Sequence, residues 1–165
     1  MNAQLSRRQF IGASAALAAA TLGPAPLPAA EAKKRAIKKG VGLGMVQVNL
    51  PLVDKFKLLK ELGFDGVDLE RPGGAPVAEV LRARDASGLA IGNIIDSVHW
   101  KDHFSHPDPA VRARGQQGLD TALHEAKEFG CPTVLLVPAV VNKEISYRDA
   151  YTRSLAEIKK AVPTA

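Results

Sequence analysis

The sequence predicts an α/β fold in which four (β/α) units follow one another along a parallel sheet. Short apolar runs recur along the chain, and each is followed by a segment whose apolar residues repeat at helical spacing. A glycine follows each of the first three helical segments, where a left-handed C-cap is expected. Strict alternation of strands and helices is typical of parallel sheets with right-handed crossovers. An eight-unit barrel needs about 250 residues, so the chain would supply about four of its eight units.

The predicted strands cover residues 41–48, 66–70, 89–95 and 133–137. The predicted helices begin near Leu52, Pro76, Pro109 and Ser146, and the first three end before Gly63, Gly88 and Gly130. Asp108 is expected to cap the third helix, and Ser146 with Asp149 has the spacing of a capping box. No G-x-G-x-x-G motif follows the first strand, so a dinucleotide-binding doubly wound sheet lacks its usual signature.

Residues 1–32 have the pattern of a twin-arginine signal peptide. Arg7 and Arg8 precede an alanine-rich apolar run, and small residues allow cleavage after Ala30 or after Ala32. A stable membrane span needs about 20 strongly apolar residues, and this run is too short and too weakly apolar. We therefore expect export to the periplasm or the cell envelope, with no stable membrane span.

The net charge of +5 is concentrated near the N-terminus. Residues 33–40 form a predicted basic linker, whereas basic and acidic side chains are nearly balanced from residue 41 onward. A balanced folded part does not favour nucleic-acid binding. Cys131 is the only cysteine, which excludes an intrachain disulfide.

Three segments carry a resemblance to a known family. The segments are GFDGVDLE at residues 63–70, SVHW at residues 97–100 and FGCPTVLLVP at residues 129–138. In these the chain resembles the sugar phosphate isomerase/epimerase family of xylose isomerase-like TIM barrels, which includes L-ribulose-5-phosphate 3-epimerase and hydroxypyruvate isomerase. The resemblance implies that residues 41–165 are the first half of such a barrel, and that the ligand is a small sugar or sugar phosphate.

The family also implies a chemistry, in which a divalent metal ion holds two substrate oxygens while protein groups move a proton next to a carbonyl. In the family, the metal ligands come from the ends of strands five to eight. The resemblance therefore implies a divalent metal ion for the full-length family and none on this chain alone. By itself the chain is expected to be inactive as an isomerase.

The resemblance places candidate site residues at the ends of predicted strands, where barrel enzymes carry their working groups. Glu70 and His99 are the catalytic candidates, and Trp100 and Asn142 are the candidates for substrate binding. Two alternatives stay open from the residues alone. Glu70 is equally suited to a surface ion pair with its neighbour Arg71, and His99 to a hydrogen-bonded structural role.

The loop after the third strand contains three histidines and an aspartate within eight residues. They are His99, Asp102, His103 and His106. These residue types could ligate zinc or another transition metal, although a loop that covers a pocket explains them equally well. Arg148 and Arg153 follow the fourth strand, where they either meet a phosphate or hydroxyl group or lie on a solvated helix face.

Three functions compete on these observations. The first is an isomerase or epimerase that requires a missing half, the second a non-catalytic periplasmic sugar-binding module, and the third an inactive gene fragment. A half-barrel would leave its first and last strands as open edges, which invite pairing. We therefore expect self-association or a complementing half-barrel.

Overall fold

The computed structural model describes residues 37–165, so the predicted signal peptide lies outside the described residues. It contains one sheet of four parallel strands in the order β1-β2-β3-β4. The strands are β1 (Gly40–Gly42), β2 (Gly66–Arg71), β3 (Ala90–Asp96) and β4 (Val134–Leu135). The helices are α1 (Leu52–Glu61), α2 (Val77–Ser87), α3 (Pro109–Phe129) and α4 (Tyr147–Ala161). The predicted α/β fold with four alternating units is therefore confirmed.

The helix ends follow the residues that predicted them. The three predicted C-terminal glycines adopt left-handed φ values of 78° at Gly63, 65° at Gly88 and 68° at Gly130. The Asp108 carboxylate accepts a hydrogen bond from the Ala110 N–H at the start of α3. The Ser146 hydroxyl accepts one from the Asp149 N–H at the start of α4. Local sequence chemistry therefore fixes where these helices begin and end.

The edge strands are shorter than predicted. The first was expected at residues 41–48, but the chain leaves β1 at Gly42 and enters a 3₁₀ turn at Leu43–Met45. The fourth was expected at residues 133–137, but only Val134 and Leu135 pair with β3. Among the described residues, each of these strands has a neighbour on one side only, so fewer hydrogen bonds hold it extended.

The main core lies between one face of the sheet and the helices. Its fully enclosed side chains include Phe56 from α1, Val80 from α2, Val67 from β2 and Ile94 from β3. Along β2, buried residues alternate with Asp68 and Glu70, which therefore belong to the opposite face of the sheet. That face is the one that lines the interior of a closed barrel.

Helix α3 lies unusually close to the loop after β3. A Cβ atom added at Gly115 would be 2.0 Å from the backbone oxygen of Asp102, and one at Gly118 would be 2.2 Å from Cγ2 of Val98. Side chains larger than hydrogen do not fit at either position. The two glycines thus allow the helix to press the loop against the end of the sheet.

No helix within residues 37–165 is long and apolar enough to cross a membrane.

Gly115→Ala should lower the free energy of unfolding by about 1–3 kcal/mol, because overpacking outweighs the better helix propensity of alanine. Urea unfolding followed by circular dichroism measures the change. Gln117→Ala, at an exposed position two residues along the same helix, is the control and should stay within about 0.5 kcal/mol of the parent chain. Equal free energies of unfolding for the two variants would contradict the prediction, because they would show that a methyl group fits at residue 115 without overpacking.

Candidate functional site at the carboxyl ends of the strands

Glu70 lies at the carboxyl end of β2, on the barrel-interior face. It lines a cavity of about 240 Å³, together with Leu43 after β1 and Ser97 after β3. Leu69, Arg71 and Val80, from the helix-covered side of the sheet, also line this cavity. Three successive strand ends therefore contribute to one small pocket. Working groups of parallel (β/α) proteins are found at this end of the sheet.

The alternative of a surface ion pair between Glu70 and Arg71 is wrong. The Arg71 side chain is buried and pairs with Glu125 of α3, and Arg71 also lines the pocket. Its guanidinium also donates to the carbonyl oxygens of Gly73 and Ala75. Among residues 37–165, Glu70 forms no ion pair, and it lines the pocket.

The loops after β2 and β3 are tied to each other. The Ser97 hydroxyl donates to the carbonyl oxygen of Pro72 at 2.6 Å, and the Ser97 N–H donates to the carbonyl oxygen of Arg71 at 2.8 Å. Together with the Arg71 contacts, these bonds hold the wall of the pocket beside Glu70. Hydrogen bonds from Ser97 and Arg71 therefore hold the 71–75 segment that forms part of the pocket wall.

His99 is 4% exposed and lies in the turn after β3. The Val137 N–H, in the segment after β4, donates to His99 Nδ1 at 3.4 Å. With Nδ1 as acceptor, the neutral ring carries its hydrogen on Nε2. Trp100 stands edge-on to the imidazole with 5.3 Å between ring centroids and is itself 66% exposed. These contacts suit the structural interpretation of His99, and its catalytic role stays a prediction.

The histidine loop does not have the geometry of a metal site. His103 Nδ1 lies 2.8 Å from the Ser105 hydroxyl, and His106 Nδ1 accepts from the Asp108 N–H at 3.0 Å. The Asp102 carboxylate accepts from Arg114 at 3.0 Å. Within the part of the chain that the structure describes, no three His, Cys, Asp or Glu side chains converge as metal ligands. These side chains instead hydrogen-bond to neighbouring protein groups, and the interpretation as a loop that covers a pocket stays a prediction.

Burial lowers the pKa of His103, and the neighbouring His106 lowers it further, while Asp102 acts in the opposite direction. The Ser105 hydroxyl that contacts this ring also donates to the carbonyl oxygen of Val140. The histidine loop is thereby joined to the segment after β4.

Asn142 shapes its own loop. Its side-chain oxygen accepts from the N–H groups of Glu144 and Ile145, both at 2.9 Å. Its amide nitrogen is the part that a substrate could still meet, so substrate binding by Asn142 stays a prediction.

Arg153 donates to the carbonyl oxygen of Ser105 at 3.1 Å, whereas Arg148 is exposed on α4.

Asp68 is an interior-face residue that the sequence reasoning missed. A Cβ atom added at Gly92 would be 3.1 Å from its carboxylate, and one at Gly40 would be 3.7 Å away. Glycines on both neighbouring strands thus make room for this side chain. Burial raises its pKa. The alternation along β2, which puts Asp68 on the same face as Glu70, was the available signal.

Asp96 is a second missed residue. It ends β3 fully buried, and one carboxylate oxygen accepts from the Val98 N–H at 3.2 Å. The other oxygen has no hydrogen-bond partner among the described residues. Burial is the main cause that raises its pKa, and Asp102 adds to it, while the Val98 N–H and His99 act in the opposite direction.

A larger cavity, of about 560 Å³, lies at the amino ends of the strands. Lys38, Lys39 and Lys60 line it together with backbone of the strand starts. In barrels this end serves stability, and the catalytic groups lie at the opposite end. Size therefore does not identify the candidate site here, and the smaller pocket beside Glu70 has the better position.

The parallel (β/α) units with polar groups at their carboxyl ends define the class of barrel-type α/β proteins. Residues 56–165 match the family model described as xylose isomerase-like TIM barrel. The chain therefore belongs to this family, as its three motifs predicted. Residues 4–24 match the twin-arginine translocation signal sequence, which supports export by that pathway.

Solved structures share the fold. The 3-keto-D-glucoside 4-epimerase from E. coli superposes with a TM-score of 0.63 at 17% identity, over 78% of this chain and 53% of that chain. The D-psicose 3-epimerase from Clostridium cellulolyticum H10, solved with D-tagatose, gives 0.59 at 13% identity, over 78% and 48%. An AP endonuclease family 2 protein from Brucella melitensis gives 0.60 at 16% identity, over 77% and 50%.

This chain spans about half the length of these solved structures. At these identities the likeness establishes the fold. No curated protein shows significant sequence similarity to the chain.

Asp96→Asn should stabilise the fold at neutral pH. Because the pKa is raised in the folded state, the stability due to the bound proton is complete below the unfolded value of 3.8 and is lost as the pH rises through the folded pKa. The amide carries no charge at any pH, so the variant should gain about 1–3 kcal/mol at pH 7, and this gain should shrink toward pH 3.

Urea unfolding at several pH values measures this difference. Glu128→Gln, which changes an exposed carboxylate of α3 in the same way, is the control and should change the pH dependence little. A lower stability of Asp96→Asn at pH 7 would contradict the account, because it would mean that the charged carboxylate is favoured in the folded state.

Proposed function

We propose that this chain forms the first-half wall of a sugar isomerase or epimerase site that acts on a small keto sugar or sugar phosphate. The single observation that carries the proposal is the pocket at the carboxyl ends of β1, β2 and β3, which Glu70 lines. The family supports the reaction class, and two of the similar structures are named as epimerases of keto sugars.

Glu70 is proposed to hold the sugar and to exchange a proton with it. A carboxylate accepts hydrogen bonds from sugar hydroxyls, and it is the usual group that removes a proton next to a carbonyl. Asp68 lies on the same face of β2, two residues before Glu70. Hydrogen bonds from Arg71 and Ser97 hold the carbonyl oxygens of Pro72, Gly73 and Ala75 in the loop beside Glu70.

His99 is proposed to act on the substrate through Nε2, since Nδ1 receives the Val137 N–H. Trp100 is proposed as an exposed aromatic wall beside it, and Asn142 as a hydroxyl contact through its amide nitrogen. Aromatic faces commonly cover the apolar faces of ligands that carry polar groups elsewhere.

The divalent metal ion of the family does not fit the described residues. Within residues 37–165, no group of three or more suitable side chains is placed to hold one. We therefore route no step through a metal on this chain and propose that the other half of a complete barrel holds it. The chemistry that a metal supplies there is polarisation of the substrate carbonyl.

The twin-arginine signal leads us to propose the periplasm or the cell envelope as the place of action. A second candidate function is a non-catalytic sugar-binding module in the same compartment. The pocket that Glu70 lines supports it, since sugar binding alone needs no metal ion. The two functions share the sugar and differ in turnover.

Isothermal titration calorimetry with D-psicose tests the shared step. The parent chain should bind the sugar, and Glu70→Gln should weaken binding about tenfold. A hydrogen bond to a charged group is worth about 1.5–3 kcal/mol, and about 1.4 kcal/mol corresponds to that factor.

The matched control is Glu128→Gln, which removes an exposed carboxylate far along the chain and should bind like the parent. Circular dichroism confirms that each variant folds. No heat with the parent chain, or equal affinity in all three proteins, would contradict the proposed role of Glu70. Conversion of D-psicose by the chain would separate the isomerase from the binding module.

A further inference from the structure

We propose that the histidine loop, residues 97–106, is closed against residues 137–140 while His103 is neutral and opens when His103 gains a proton. This inference goes beyond the proposed function and does not depend on it, since it uses only the contacts between two segments of the described chain.

Hydrogen bonds join the histidine loop to residues 137–140, the segment after β4. The Phe104 N–H donates to the carbonyl oxygen of Pro138 at 3.1 Å. The Ser105 hydroxyl donates to the Val140 carbonyl oxygen and accepts from the Val140 N–H, both at 2.9 Å. The two segments are more than thirty positions apart along the chain, so these bonds and the packing around them keep the loop closed.

The Ser105 hydroxyl determines which nitrogen of His103 carries the hydrogen. It is fully buried and lies 2.8 Å from His103 Nδ1. A hydroxyl has one hydrogen, and here the Val140 carbonyl oxygen receives it. The Ser105 oxygen then accepts from the Val140 N–H and from Nδ1–H of the ring. Nε2 of the neutral ring is therefore the atom that gains a proton on acidification.

A proton on His103 is unfavourable while the loop is closed. The side chain is 8% exposed, so the charged ring would lose most of its contact with water. Burial accordingly lowers the pKa of His103 below its ordinary value of 6.5. An open loop returns the ring to water, so the open form binds the proton more tightly than the closed form does.

The charges nearest to His103 include one carboxylate that acts the other way. Asp102 favours the protonated ring, but its carboxylate also accepts from Arg114 of α3 at 3.0 Å. The rings of His103 and His106 lie 5.4 Å apart between centroids, and His106 lowers the pKa of His103. Within the loop, a second charged imidazole would therefore repel the first.

The two helices behind the loop add positive charge. Arg153 of α4 donates to the carbonyl oxygen of Ser105 at 3.1 Å. Arg112 of α3 donates to carbonyl oxygens at the end of the loop and pairs with Glu157 of α4 at 3.1 Å. Residues 137–140 carry no titratable side chain. Protonation of the buried ring thus adds a cation where arginine side chains are already present.

The direction of the pH dependence follows from proton binding. Because the pKa of His103 is lowered in the closed form, that form binds fewer protons than the open form. Its stability is therefore complete above the ordinary pKa of 6.5 and is lost as the pH falls below that value. One proton per opening changes the ratio of open to closed loop by at most about tenfold per pH unit.

Opening of the loop also changes the surroundings of the candidate pocket. The Val137 N–H donates to His99 Nδ1, and Val137 directly precedes Pro138, to which the closed loop is bonded. The loop begins at Ser97, which lines the pocket together with Glu70. Protonation of one buried histidine would thus reach both the imidazole of His99 and the pocket wall. Histidine is the side chain suited to respond in this pH range.

Hydrogen exchange of the full chain, followed by NMR at about pH 7.5 and about pH 5.5, tests the proposal. Each rate is compared with the intrinsic exchange rate at the same pH. The protection of the Phe104 and Val140 amides should fall about three- to tenfold at the lower pH. The Ile94 amide donates to the carbonyl oxygen of Thr133, outside the loop, and should keep its protection as the internal reference.

His103→Gln removes the titration, and its side-chain N–H can still donate to the Ser105 hydroxyl. Protection of Phe104 and Val140 should then be the same at both pH values. His124→Gln changes an exposed histidine of α3 in the same way and should behave like the parent chain. Circular dichroism confirms that the variants fold.

Equal protection of Phe104 and Val140 at the two pH values in the parent chain would overturn the proposal. So would a fall that Ile94 shares, because it indicates global unfolding, or a fall that persists in His103→Gln. If that variant does not fold, the imidazole titration of His103 in the parent chain replaces it. A midpoint below pH 6.5 that the Phe104 and Val140 amide shifts follow supports the proposal. A midpoint at or above pH 6.5, or one that these amides do not follow, overturns it.

Discussion

The buried guanidinium of Arg71 is the interaction on which the site end of the molecule depends. It pairs with Glu125 of α3, lies 5.6 Å from the centre of the Phe129 ring and holds the carbonyl oxygens of the loop after β2. Loss of one partner from a buried ion pair costs about 3–5 kcal/mol. One side chain thus attaches the third helix to the second strand and fixes the backbone next to Glu70. Arg71 and the loop that it holds also form part of the pocket wall.

Local chemistry explains why so much of the fold could be predicted from the sequence. Gly88 and Gly130 end helices because they adopt left-handed backbone, and Ser146 begins one because its hydroxyl caps an N–H. Such signals act within a few residues of the chain. The positions of β2 and β3 followed in the same way from apolar runs between these boundaries, and with them the position of Glu70.

The features that escaped prediction depend on contacts between distant segments. Arg71 pairs with Glu125 of α3, which lies more than fifty positions later in the chain. The sequence alone suggests its neighbour Glu70 as the partner, because the approach of α3 has no local signal. Asp96 differs from an ordinary strand-end aspartate only because α3 covers it. The lengths of β1 and β4 depend on how many neighbours each strand has. None of these facts has a local sequence pattern.

The central claim is that the carboxyl ends of the strands, and not the larger cavity at their amino ends, form the binding site. Amide chemical shifts of the isotope-labelled chain during titration with D-psicose test it most directly. The account predicts that the amides of Glu70 and Ser97 move, while those of Gly40, Gly66 and Ala90 stay in place. Shifts confined to Gly40, Gly66 and Ala90 would contradict it and would place the ligand in the lysine-lined cavity at the other end of the sheet.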